Sequence, residues 1–207
     1  MIFLRAITTN PILAQAVHNL RLANFKSSYT DEEKGSLKYL LKHAGLPPTD
    51  WSEDAGQRIP HNELAIVYCT NIEALHFIYT RPLPSFPTAF SSFTLQLPRL
   101  ERVTVRSMVD SLRHKYDQLA PLLAAARNLK HLAAPIVTGA LNNPSNIPEL
   151  AHQEELDFSE GTPTLPSVRC LVGRSKNLRK LKLWIRDRSD DAGDADDETE
   201  KWSLATG

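Results

Sequence analysis

Apolar residues recur along this chain in one arrangement: an apolar position, two others, a second apolar position, one other, and a third. The fullest version lies in Asn177–Ile185, "NLRKLKLWI", with Leu178, Leu181 and Leu183 as its apolar set. A spacing of three and then two is neither the 3.6-residue period of a helix nor the plain alternation of a long strand. Copies lie near 17–22, 72–77, 100–105, 129–134 and 178–183, and a degenerate one lies at 153–158. Their middle apolar positions are Leu20, Leu75, Val103, Leu132, Leu156 and Leu181, spaced by 55, 28, 29, 24 and 25 residues. The last four spacings fall in the roughly 20–29-residue range of a leucine-rich repeat. The first is about two units long, so an irregular unit is expected within residues 30–62.

Helix signals stand between the copies. Asn10-Pro11 reads as an N-cap with proline in the first helical position, and Ile12, Leu13, Ala16 and Val17 supply an apolar face. Thr30-Asp31-Glu32-Glu33 is a capping box, and its helix carries Leu37, Leu40 and Leu41 before stopping at Gly45. Residues 60–69 predict a second short helix. Residues 111–126 predict the clearest one, with Pro121 expected to kink or break it. Asparagine precedes the first apolar residue of a copy at Asn71, Asn128 and Asn177, where a helix must end and the chain must turn into a strand.

Together these features predict an α/β fold: an irregular, leucine-rich-repeat-like solenoid over residues 1–188, with a parallel concave sheet and helical or irregular returns. A compact α/β domain with a parallel sheet is the alternative. One unit cannot bury its own apolar side, whereas stacked units share a core. Strand alternation then turns the intervening residues outward. The expected outward set includes Arg21, Ala74, His76, Ile78, Arg102, Thr104, Arg106, His131, Ala133, Asp157, Lys180, Lys182 and Trp184. Residues 189–207 form an acidic tail with few large apolar residues, and it is expected to be disordered. An uncapped last strand would then leave an edge open to self-association.

Charge narrows the partners. Lysine plus arginine total 24 and aspartate plus glutamate total 24, so no global field favours nucleic acid or a membrane. The arginines and lysines near the repeats lack interleaved aromatics for base stacking, Trp184 aside, which argues against nucleic acid as the ligand. Cys69 and Cys170 form no metal or secreted-type framework. No signal peptide or apolar run of membrane-spanning length is seen, so the expected location is intracellular, cytoplasmic or nuclear.

No nucleophile elbow, phosphate loop or zinc-protease motif occurs. The histidines are scattered, and no catalytic residue, metal site or cofactor is expected. Asp190, Asp191, Asp194, Asp196 and Asp197 lack the order of a calcium loop.

The runs "LRAITTNPILAQAVHNLRL" and "NELAIVYCTNIEALHFIY" resemble fungal F-box/leucine-rich-repeat-like proteins over roughly residues 2–186. In that family the F-box binds a Skp-type adaptor of a cullin ubiquitin ligase, and the repeats present a substrate. No F-box-like segment is seen in this chain, so the resemblance implies only the partner-recognition half. The expected function is a non-enzymatic module that binds a protein on the concave strand face through His76, Arg102, Thr104, Arg106, Asp157, Lys180, Lys182 and Trp184. The alternatives are a truncated family member without a specific partner, and a small enzyme with an unrecognised site.

Overall fold

The helix signals are met first at Asn10. Its side chain accepts the amides of Ile12 and Leu13, and Pro11, which has no amide to lose, opens helix α2 (Pro11–Gln15) behind α1 (Ile2–Thr9). The computed structural model describes residues 2–23, 30–46, 60–79, 95–107, 114–115, 120–134, 137–138, 149–159, 164–184 and 201–205. Thr30 and Glu33 close the expected capping box on α3 (Asp31–His43). That helix ends in a Schellman turn: Gly45 sits at φ 68°, and Leu46 N–H reaches Leu41 O at 2.8 Å. α4 follows at Pro60–Tyr68.

The strands are β1 (Asn19–Ala23), β2 (Ala74–Tyr79), β3 (Arg102–Ser107), β4 (His114–Lys115), β5 (His131–Ala133), β6 (Val137–Thr138), β7 (Glu155–Phe158), β8 (Lys180–Trp184) and β9 (Lys201–Ala205). Two further helices are α5 (Ala120–Ala125) and α6 (Leu165–Arg174). The fold is α/β. The main sheet has the order β1-β2-β3-β5-β7-β8-β9; its first six strands are all parallel and β9 is antiparallel. β4 and β6 form a separate parallel pair.

The register matches the sequence repeat. Leu20 pairs with Leu75, Leu75 with Val103, Val103 with Leu132, Leu132 with Leu156, and Leu156 with Leu181. All of these but Leu181 are at most 4% exposed. With Leu22, Phe77, Val105 and Phe158 they join Leu37 and Leu41 of α3, Leu64 and Ile66 of α4, Leu122 and Leu123 of α5 and Leu171 of α6 in one core. Burying one such side chain contributes about 1.5–3 kcal/mol, so a two- or three-leucine unit depends on its neighbours for stability. Leu178, Leu181 and Leu183 are only half-buried against this core.

Each unit is tied to the next in the same way. The carbonyls of His18, Glu73, Glu101, Lys130 and Glu154 each accept two consecutive amides from the following unit, at 2.7–3.0 Å. The three asparagines add a side-chain rung. Asn71 Nδ2 donates to Gln15 O (3.2 Å), Asn128 Nδ2 to Pro98 O (2.7 Å) and Asn177 Nδ2 to Ala151 O (2.6 Å). Each asparagine stands four residues before its middle apolar position, and each acceptor stands five before the middle position of the preceding unit. The degenerate copy is explained by Gln153, which is buried where the others carry an apolar residue. Its amide donates to Lys130 O at 2.8 Å and Glu155 O at 2.6 Å, so a polar side chain replaces the leucine while tying two units together.

Four expectations change. β1 pairs directly with β2, so the irregular unit expected within residues 30–62 places no strand between them; α3 and the start of α4 occupy the described part of that interval. The helix expected at 111–126 is shorter: His114 and Lys115 are in β4, and the helix begins at Ala120. Proline cannot supply an interior helical hydrogen bond, so Pro121 opens the helix instead of kinking it. Ile12 and Leu13 are 79% and 48% exposed, and α2 buries Ala14 instead. Finally, the tail expected to be disordered contains β9, which covers the β8 edge expected to be open. Its sequence, "KWSLA", alternates enough apolar residues to form a strand, unlike the acidic run before it, which lies outside the described residues.

Candidate functional site

Alternation along the strands sorts side chains into two rows that face away from the core. The row before the middle apolar position is Asn19, Ala74, Arg102, His131, Glu155 and Lys180. The row after it is Arg21, His76, Thr104, Ala133, Asp157 and Lys182. Many of these residues line an open depression of about 400 Å³. The structure therefore brings His76, Arg102, Thr104, Asp157, Lys180 and Lys182 onto one polar face, with Arg106 at the end of β3 on the same side. Trp184 ends β8, but its side chain lies outside what the structure describes.

The rows split by charge balance. On β7 and β8, Lys182 Nζ lies 2.7 Å from Asp157 Oδ2 and 3.4 Å from Glu155 Oε1. Lys180 Nζ is 3.0 Å from the same Glu155 oxygen, and His131 Nδ1 is 3.5 Å from Glu155 Oε2. Burial raises both carboxyls. The bonds and charges of Lys180 and Lys182 at Glu155, and of Lys182 with Ser159 at Asp157, together outweigh burial and hold both below their ordinary values. The hydrogen bond to Asp157 is the main cause that raises the Lys182 ammonium.

On β1 to β3 the balance is different. His76 lies opposite Arg21 on one side and Thr104 on the other, and Arg102 and Arg106 stand two residues before and after Thr104. Burial, followed by the positive charges of Arg21, Arg102 and Arg106, lowers the His76 imidazole and favours its neutral form. The three guanidiniums make no ion pair among the described residues.

A third row runs along the entrance to the strands. His18 Nδ1 is 3.0 Å from Glu73 Oε1, and Lys130 Nζ is 2.7 Å from Glu101 Oε1. These exposed pairs join neighbouring units and are worth little individually.

Glu155 is the principal residue absent from the expected site, although it meets two lysines and a histidine. Its position immediately before Leu156 marks it as outward, but its partners become visible only when strands distant in sequence are aligned. Glu155, 24 residues from His131 in sequence, is brought beside it by the pairing of β5 with β7. Among the described residues, no cluster of three or more histidine, cysteine, aspartate or glutamate side chains is arranged to hold a metal, and no helix is long and apolar enough to cross a membrane. The chain matches no protein-family model, and neither curated proteins nor solved structures gave a match.

Proposed function

We propose that this protein is a non-enzymatic recognition module, built as a leucine-rich-repeat-like solenoid, and that it binds a protein partner across its polar sheet face. The observation that carries the reading is the shared register of six parallel strands. It sets their leucines into one core and their polar residues into continuous outward rows. Such rows offer a broad surface on a rigid support, with arginines of the kind that anchor interfaces. The likeness of the sequence runs to fungal F-box/leucine-rich-repeat-like proteins supports the same role, as the part that presents a substrate.

The test is capture of partners from a cell extract by the whole chain, comparing wild type with Thr104→Trp in the middle of the face and Lys38→Trp on the exposed side of α3. The reading expects Thr104→Trp to lose partners that Lys38→Trp retains. Equal recovery by both folded variants contradicts it.

A further inference from the structure

The two halves of the polar face differ in what they leave unsatisfied. On β7 and β8, Glu155 and Asp157 are already neutralised by Lys180 and Lys182. On β1 to β3, three guanidiniums surround His76 and, among the described residues, meet no carboxylate in an ion pair. Glu101 lies within electrostatic reach of Arg102 but pairs with Lys130, so the guanidiniums repel one another with little local compensation, and an anionic ligand relieves that repulsion.

The spacing selects the form of the ligand. Arg102 and Arg106 are four residues apart on one strand, hence about 13 Å apart at roughly 3.3 Å per residue. Arg21 stands two strands away, about 10 Å to the side at the usual inter-strand distance. This spread is wide for one small anion. An extended peptide, however, presents same-side residues about every 6.6 Å, so three alternate residues span the distance from Arg102 to Arg106. Toward β7, Lys180 and Lys182 are already paired with Glu155 and Asp157, so the unpaired positive charge does not continue across the whole sheet for a long polyanion to follow.

We infer that the β1–β3 half of the polar face binds an extended acidic peptide, with carboxylates at alternate residues set against Arg102, the His76–Thr104 pair and Arg106. Arg21 holds the outer flank of the same ligand. The inference rests on the protein-recognition reading and assigns its ligand class. Guanidinium–carboxylate pairs supply the charge-assisted hydrogen bonds.

Binding also alters His76. The groups facing it are Arg21 from β1 and Arg102, Thr104 and Arg106 from β3, while its strand neighbours on the same side are the uncharged Ala74 and Ile78. Bound carboxylates offset the guanidinium charges, so the imidazole protonates more readily in the complex. Affinity therefore rises as pH falls through the range where His76 titrates.

The experiment is calorimetry with the full chain and a blocked peptide of alternating serine and aspartate, together with the proton resonances of His76 followed against pH. The peptide is compared with its asparagine counterpart, with inorganic phosphate and with a single-stranded oligonucleotide. The expected results are binding of the aspartate peptide alone, an upward shift of the His76 titration, and a loss of about tenfold or more in Arg102→Gln/Arg106→Gln. Lys38→Gln on α3 leaves binding unchanged. Arg21→Gln, which alters only one strand, is the second variant should the double one fold poorly, and it also weakens binding. No peptide binding, retained affinity in a folded arginine variant, loss only in Lys180→Gln, or equal or tighter binding of phosphate or oligonucleotide overturns the inference. Partner capture that remains sensitive to Thr104→Trp in those cases preserves the broader recognition reading.

Discussion

Asn128 donates its side-chain amide to the carbonyl of Pro98, 2.7 Å away and thirty positions earlier in the chain. Asn71 and Asn177 repeat the bond one unit at a time, so this rung belongs to the stacking of units and not to a single turn. Asn128→Ala should lower stability by about 1 kcal/mol, the usual net worth of one hydrogen bond. Asn128→Asp should lose a similar amount, because a carboxylate cannot donate to the carbonyl. Urea denaturation of both variants checks this. Wild-type stability in both would remove the rung from the account.

The Lys182–Asp157 pair gives acid sensitivity a definite direction. The Asp157 and Glu155 carboxyls lie below their ordinary values in the folded protein. Their stabilisation is therefore present above about pH 4–5 and is lost as pH falls through the lowered folded values. Lys182→Met should flatten the fall in stability between neutral and acid pH and cost under about 1 kcal/mol at pH 7, since the lysine is partly solvated. Chemical denaturation at a series of pH values reads the slope; a slope equal to wild type would show that the pair does not couple to folding.

The two cysteines should react in a fixed order. Cys69 is fully buried, and burial pushes its thiol up to about 11, whereas Cys170 on α6 is only half-buried. Thiolate is the reactive form, so an alkylating reagent at pH 8 should modify Cys170 first and Cys69 only on unfolding. Mass spectrometry of timed samples measures this. Early labelling of Cys69 would contradict its placement in the core.

β9 replaces the open edge expected after β8. Its antiparallel pairing from Lys180–Ala205 to Trp184–Lys201 occupies the outer side of β8. Removing residues 201–207 should expose that edge and promote concentration-dependent association. Sedimentation of the full and shortened chains tests it, and a shortened chain that sediments like the full one would show that the edge needs no cover.

The sequence makes the strand register legible because apolar spacing must be kept wherever strands share a core; a slip by one residue would turn Leu132 or Leu156 to the outside. The outward direction of Arg102, Thr104 and Lys182 follows from the same alternation. What stays hidden is pairing across strands. Glu155 meets His131 and Lys180 through residues 24 or 25 positions away, a relation local pattern does not encode. The asparagines are visible as a recurring residue, but their partners, Gln15 O, Pro98 O and Ala151 O, emerge only from stacking. Before Pro121 the apolar period imitates a helix, yet His114 and Lys115 lie in a strand and the helix begins only at Ala120, where the proline marks the break.

The most direct test of the recognition claim is site-specific photo-crosslinking in cells. A photoreactive residue is placed in turn at Thr104 on the polar face and at Lys38 on the outer side of α3, and adducts are identified by mass spectrometry. The account predicts protein adducts from position 104 that compete with untagged wild type and are absent from position 38. The same adducts from both positions, or none from 104 while position 38 reacts, would contradict it.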